Sequence, residues 1–214
     1  MKLYTFFRSS ASYRVRIALN LKGLDCEQIP IHLRRGGGEQ FSPGYKEKNP
    51  QALVPALEDG GRVLTQSLAI IEYLEERNPS PPLLPKEPAD RALVRAMALA
   101  IACEVHPIQN LRVLNYLKSE FKLGDAETNR WAQHWIALGF AALEEMVRAA
   151  PTRGKFCFGD APTLADLCLV PQFSNARRFG CDLSAYPILV RIDAHCATLP
   201  AFAKAAPENQ PDAD

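Results

Sequence analysis

Residues 49–55 read NPQALVP and sit among stretches with strand character, LVPALE (53–58) and RVLTQ (62–66) following on. A proline inside a sheet removes a ladder donor, which confines it to edges, strand starts or bulges. Pro55 therefore admits two readings. One is an edge strand beginning at Ala56. The other is a cis Val54–Pro55 bond that presents the Val54 N–H and C=O outward, free to pair with an extended peptide.

The neighbouring chain supplies a context for both. DGG (59–61) between the two strand stretches is a turn signal. Upstream, Lys2–Phe7 reads as a short strand, and SSASYRVRIALNLKG (9–23) as a helix. Its serines are N-cap candidates, Val15, Ala18, Leu19 and Leu21 form its apolar set, and Gly23 is its stop. CEQIPIHL (26–33) alternates as a second strand, and RRGGGEQFSPG (34–44) is a loop. No Lys-Ser/Thr pair follows the triple glycine, which excludes a phosphate-binding P-loop. SLAIIEYLEERN (67–78) is an amphipathic helix with Ser67 as its expected cap. Residues 1–80 thus read β-α-β, loop or short helix, β-β-α, a small mixed sheet with helices on its faces.

NPSPPLLPKEP (78–88) holds five prolines and no periodic pattern, so the linker is expected over 81–90. From 91 to 207 the pattern is helical throughout. Val94, Met97, Ala98, Ile101, Ala102 and Val105 form one stripe, and Trp131, Trp135, Leu138, Ala142 and Met146 another. The end, 208–214, is polar and proline-bearing and is expected to be disordered.

Composition bounds the function. Apolar residues are 47% of the 214, enough for a substantial core, and charged residues are 23%. The formal net charge of +1 gives no field to recruit nucleic acid or an anionic membrane. No stretch reads as a membrane span or signal peptide. The six cysteines are scattered with no C-x-x-C, which points to reduced thiols and a cytoplasmic location.

Two helix starts suit an anion or thiolate, because free N–H groups and partial positive charge gather there. One is Ser9–Ser12, near Arg8, Arg14 and Arg16; the other is Gln66–Ser67. Each also has a structural reading, as caps for the serines and as surface or ion-pair residues for Arg14 and Arg16. His106 and Asn110 are four apart and so are expected on one helix face, bent by Pro107. Thr163-Leu-Ala-Asp166 reads as a capping box serving stability.

FFRSSASYRVRIALN (6–20), NPQALVPAL (49–57), LTQSLAIIEYLEE (64–76), HPIQNLRVL (106–114) and TLADLCLVPQFSNARRFGCDLSAYP (163–187) together resemble the zeta class of the glutathione transferases, over about Met1 to Pro211. The resemblance implies an α/β plus all-α fold. Residues 1–80 would be a thioredoxin-like, glutathione-binding domain with a mixed four-stranded sheet, and 91–207 a helical bundle that binds substrate. It implies a cis Pro55 and glutathione as cofactor. The Val54 backbone would pair with the cysteinyl part, and Gln66 and Ser67 with the γ-glutamyl end. Ser9, Ser10 and Ala11 would lie beside the sulfur, and Gln40 and Gln51 near the glycyl end. His106, Asn110 and Arg112 match positions of the family's ligand cleft. Ser10, Arg8 and Arg178 are the implied catalytic residues, Ser10 for the thiol and the arginines for a dicarboxylate-like substrate. The implied activity is cis–trans isomerisation of maleylacetoacetate by reversible thiolate addition, in tyrosine and phenylalanine catabolism, by a homodimer. Maleylpyruvate isomerisation in gentisate breakdown and general glutathione conjugation are the alternatives. The family's usual Ser-Ser-Cys is Ser-Ser-Ala here, with Ala11 in the place of the cysteine, so chemistry needing a protein thiol is not expected. Leu111, where an extra arginine is expected of maleylpyruvate enzymes, favours maleylacetoacetate.

Overall fold

The structure is a computed structural model and describes residues 1–213. The chain forms two compact units, Met1–Pro82 together with the chain from Ala197 onward, and Leu83–Cys196.

In the first unit β1 (Lys2–Thr5) leads to α1 (Ser10–Leu21) and on to β2 (Glu27–Pro30), which returns parallel to β1 with Leu3 opposite Gln28. That is the crossover geometry a parallel pair requires. After α2 (Pro43–Lys48), β3 (Ala56–Asp59) and β4 (Arg62–Thr65) form a hairpin, and α3 (Ser67–Arg77) follows. The mixed four-stranded sheet has the order β2-β1-β3-β4, with β1 antiparallel to β3. Gly60 and Gly61 both have positive φ, 55° and 79°, the conformation a two-residue hairpin turn demands. Both strands before α2 are shorter than their apolar stretches, β1 stopping at Thr5 and β2 at Pro30.

Ser9 caps α1 by accepting the Ser12 N–H at 3.2 Å, and Gly23 ends it at φ 62°. The helix is buried nearly all round, because α3 and α9 (Pro200–Ala205) both pack against it. This corrects the surface reading of Arg14 and Arg16. Residues two apart on a helix point to nearly opposite sides, so a helix covered on two sides buries both.

Two boundaries also differ from expectation. Residues 208–213 are not a loose tail. Pro207–Asn209 form a 3-10 turn, the buried Gln210 donates to the carbonyls of Lys204 and Ala206, and Asp212 accepts the Phe7 N–H. A polar composition is compatible with order when each polar group finds a partner. Asp214 lies outside the described residues. The expected linker 81–90 is also partly built in: Leu83 and Leu84 are buried, the Leu83 carbonyl accepts the Leu164 N–H at 2.9 Å, and α4 already begins at Pro88.

The second unit holds α4 (Pro88–Leu99), a π-helical turn (Ala100–Val105), a 3-10 turn (Pro107–Gln109), α5 (Leu111–Glu120), α6 (Asp125–Ala149), α7 (Leu164–Arg178) and α8 (Pro187–Ala197). Of the expected stripe, Val94, Met97, Ala98, Ile101 and Val105 are buried and Ala102 is half-buried. By length and apolar composition Pro88–Glu120 would pass as a membrane-spanning helix. It is interrupted between Ala100 and Asn110, and that stripe packs in the core of its own unit. In α6 the helix is as expected but the face is not: Ala132, Ile136, Phe140, Leu143 and Val147 are buried, while Leu138 is exposed. Thr163 and Asp166 form the capping box, and the other Asp166 oxygen accepts the Cys157 N–H at 2.8 Å.

Candidate active site

The loop before β3 is braced by two side chains. Asn49 Nδ2 and the Tyr45 hydroxyl both donate to the Leu53 carbonyl, at 2.8 and 2.6 Å, and Asn49 Oδ1 accepts the Gln51 N–H. Burial pushes the Tyr45 phenol up to about 12, so it stays a donor. The Val54–Pro55 peptide is cis. Val54 is 8% exposed, and among the described residues neither its N–H nor its C=O is hydrogen-bonded. Buried main-chain groups are nearly always paired, so an unused donor and acceptor at one residue is the mark of a peptide-binding edge.

Gln66 and Ser67 adjoin at the start of α3. Gln66, not Ser67, is the capping residue, and it holds φ 69° and ψ 115°, a conformation costly for a side chain other than glycine. Its Nε2 donates to Gln51 Oε1 at 2.7 Å, which brings two of the expected ligand residues together. Ser67 is the first helical residue, and its buried Oγ accepts from Arg14 Nη1 at 3.2 Å. Arg14 is 2% exposed, and its Nε and Nη2 have no acceptor among the described residues. A buried guanidinium with spare donors, next to a helix N-terminus, is suited to a carboxylate. Sequence reasoning missed this residue; the signal was the Arg-Val-Arg spacing inside a helix packed on two sides. Gln40 is buried and donates to the Leu33 carbonyl at 3.3 Å, and its Oε1 has no partner among the described residues.

At the other helix start, Ser10 is buried as the first residue of α1 and Ala11 is half-buried behind it. No acidic residue lies in that first turn. Arg8 is exposed, its guanidinium 5.1 Å from the centre of the Phe7 ring. Arg16, by contrast, is a brace: it donates to the carbonyls of Phe7 (2.9 Å) and Ala205 (3.0 Å) and to Thr5 Oγ1 (3.1 Å). Burial pushes the thiols of Cys26 (to about 11), Cys157, Cys181 and Cys196 upward, opposite to the shift of a reactive thiolate.

The remaining expected residues belong to the second unit. His106 and Asn110 do not share a helix face. His106 ends the π-helical turn, and Asn110 caps α5, its Oδ1 accepting the Val113 N–H at 3.3 Å. Pro107 ends the helix instead of bending it, since it opens a 3-10 turn and a new helix is capped three residues on. Arg112 is exposed in the first turn of α5. Arg178, the last residue of α7, is exposed, donates from Nε and Nη2 to Asn175 Oδ1, and stacks 4.7 Å from the Phe179 ring.

Residues 3–82 match the family model described as the glutathione S-transferase N-terminal domain. A probable maleylacetoacetate isomerase of Vibrio cholerae is 54% identical over 211 residues, 99% of this chain and 97% of that protein. A maleylpyruvate isomerase described as a bacterial glutathione S-transferase of the zeta class superposes on the whole of this chain with a TM-score of 0.97 at 50% identity. The chain belongs to the zeta class of the glutathione transferases. A maleylpyruvate isomerase of a Ralstonia species is 50% identical over 212 residues, 99% of each chain. A maleylacetoacetate isomerase of Methylobacterium extorquens AM1, solved with bound malonate and glutathione, superposes with a TM-score of 0.96 at 41% identity over the whole of both chains.

Proposed function

We propose that the chain is a glutathione-dependent cis–trans isomerase that converts maleylacetoacetate to fumarylacetoacetate. The observation that carries the reading is the unused N–H and C=O of the buried Val54, flanked by the Gln66–Ser67 helix start. These residues fit glutathione. Val54 offers its cysteinyl part an antiparallel main-chain pair. Gln66, Ser67 and the spare donors of Arg14 suit the γ-glutamyl carboxylate, and Gln40 and Gln51 carry polar groups for the glycyl end. Bound there, glutathione supplies a thiolate that adds reversibly to the conjugated double bond and leaves after rotation about it.

The protein's own groups answer the demands of that chemistry. A free thiol titrates near ~8.5, so it needs a donor and a positive field to ionise at neutral pH. A Ser10 hydroxyl hydrogen bond and the N-terminus of α1 supply both, with Ser9 holding the helix start. Arg8 and Arg178 grip the substrate carboxylates, and one of them meets the negative charge that develops on the conjugated carbonyl, worth on the order of 3 kcal/mol. His106, Asn110 and Arg112 line the substrate side. With Ala11 in place, the start of α1 carries no thiol of its own. The reading includes a cytoplasmic homodimer acting in tyrosine and phenylalanine breakdown.

Maleylpyruvate is the second substrate reading, favoured by the 50% identity to the Ralstonia enzyme; Leu111 weighs against it. Both cis substrates are offered to the purified protein with and without glutathione while their absorbance is followed. Glutathione should be indispensable and be recovered unchanged. Turnover of equal speed without it overturns the reading, and stoichiometric loss into an adduct replaces isomerisation with conjugation.

A further inference from the structure

The guanidinium of Arg178 is exposed, yet its anchor runs into the core of its unit. Arg178 donates from Nε and Nη2 to Asn175 Oδ1. Asn175 Nδ2 donates to Gln109 Oε1 at 2.7 Å, and Gln109 Nε2 donates to Gln172 Oε1 at 3.0 Å. The three amides are 7%, 1% and 0% exposed. Arginine has no acceptor, so it dictates the polarity of the whole chain. Asn175 must turn its oxygen to Arg178 and its nitrogen inward. Gln109 must then offer its oxygen to Asn175 and its nitrogen to Gln172. The chain ends on Gln172 Nε2, which is buried and unpaired among the described residues.

A stabilising core would not be built this way. Each buried amide costs free energy unless every polar group is satisfied, and the last one here is not. What the arrangement achieves is orientation. In a head-to-tail chain each bond polarises the next, and none can rotate without breaking its neighbours. Gln109 also lies in the 3-10 turn between His106 and Asn110, and the same turn is pinned from α6 by Trp131 Nε1 donating to the Ile108 carbonyl at 2.7 Å. One buried network therefore ties that turn to Arg178.

We propose that Asn175 and Gln109 are positioning residues for substrate, setting the direction in which Arg178 presents its guanidinium to a carboxylate. This rests on the reading of Arg178 as a carboxylate ligand, and the test separates the two. Asn175→Leu keeps the shape and removes the acceptor, whereas Asn175→Asp keeps an acceptor oxygen toward Arg178. Each is made alone and with Arg178→Ala. Isomerisation kinetics, calorimetric affinity for malonate in saturating glutathione, and thermal midpoint are recorded.

Asn175→Leu should lower kcat/KM and malonate affinity tenfold or more and leave the KM for glutathione unchanged, since small displacements of a binding group carry large kinetic costs. Asn175→Asp should restore most of both. In the Arg178→Ala background Asn175→Leu should cost nothing further, which a purely structural residue would not show. Should Asn175→Leu fail to fold, Gln109→Met carries the same test, because it frees the inner end of Asn175 and should reduce both quantities severalfold. Parent-like kinetics and malonate affinity in these variants, with Arg178→Ala impaired, overturn the positioning role. An unimpaired Arg178→Ala overturns the reading of Arg178 itself.

Discussion

The Asp212 carboxylate accepts the main-chain N–H of Phe7 at 3.0 Å, joining residues 205 apart in sequence. The Phe7 carbonyl is taken by Arg16, so both polar groups of the residue before Arg8 are held from elsewhere in the unit. Burial pulls the Arg16 pKa down to about 10, and the charge of Asp212 opposes that shift. Asp212 and the loop before α1 are therefore tied together.

Asp212→Ala should destabilise the protein by about 1–3 kcal/mol, because it leaves the Phe7 N–H buried without a partner. Asp212→Asn, which keeps an acceptor oxygen, should lose less. Urea midpoints at unchanged m-value check the stability, and a raised KM for glutathione checks that Arg8, Ser9 and Ser10 shift with the loop. Equal midpoints for the parent and Asp212→Ala would show the contact to be idle.

Tyr45 gives a pH dependence with a definite sign. Its phenol titrates near ~10 when unfolded and is pushed up to about 12 in the fold by burial. A raised folded value means that the stability it carries is whole below about 10 and drains away as pH rises from there toward 12. Between those values the parent should lose on the order of 2 kcal/mol more than Tyr45→Phe, by denaturant titration at stepped pH. At neutral pH Tyr45→Phe should cost only about 1 kcal/mol, since Asn49 still donates to the Leu53 carbonyl. Parallel alkaline losses in the two proteins would contradict this.

The sheet was legible in the sequence because strand alternation, the DGG turn and the α1 stop are local signals, each acting within a few residues. The helix faces were less so. In α6 two apolar stripes start one position apart, Trp131–Trp135–Leu138 and Ala132–Ile136–Phe140, and only packing partners decide between them. The end of the chain misled for a related reason: composition cannot reveal that Gln210 and Asp212 find acceptors and donors far away in sequence. At the candidate site, a cis Pro55 with an open Val54 could be read as one of two outcomes of a proline ahead of a strand, and Gln66 and Ser67 from the family resemblance. Arg14 could not, since a charged residue in a helix reads as surface until a second layer covers it.

Arg14 separates affinity from stability. Arg14→Met fills similar space and removes both the hydrogen bond to Ser67 and the spare donors. A charge-assisted bond is worth about 1.5–3 kcal/mol, so the KM for glutathione should rise at least tenfold. Stability should hold or increase, because an unpaired buried cation has been replaced by an apolar chain. Calorimetric glutathione binding and thermal midpoints read the two effects independently. A variant that loses stability and keeps its glutathione affinity would make Arg14 a structural residue only.

Gly139 in α6 faces the last residue of the π-helical turn. A Cβ built there would stand 2.1 Å from Val105 Cγ2, closer than any real contact, and Val105 is followed directly by His106. Gly139→Ala must push the turn away or distort α6, an overpacking that costs about 1–3 kcal/mol. For a chain of this size that is a fall in thermal midpoint of about 2–4 °C for each kcal/mol. The displaced turn leads through His106 into the 3-10 turn that carries Gln109, so the KM for the cis substrate should rise while that for glutathione stays. Val105→Ala removes the methyl group that clashes. The double variant Gly139→Ala/Val105→Ala should therefore be more stable than the sum of its single changes requires, a coupling of 1 kcal/mol or more on the scale of contacting residues. Additive midpoints would mean that the two side chains do not meet, and that the turn owes its position to something other than the missing Cβ.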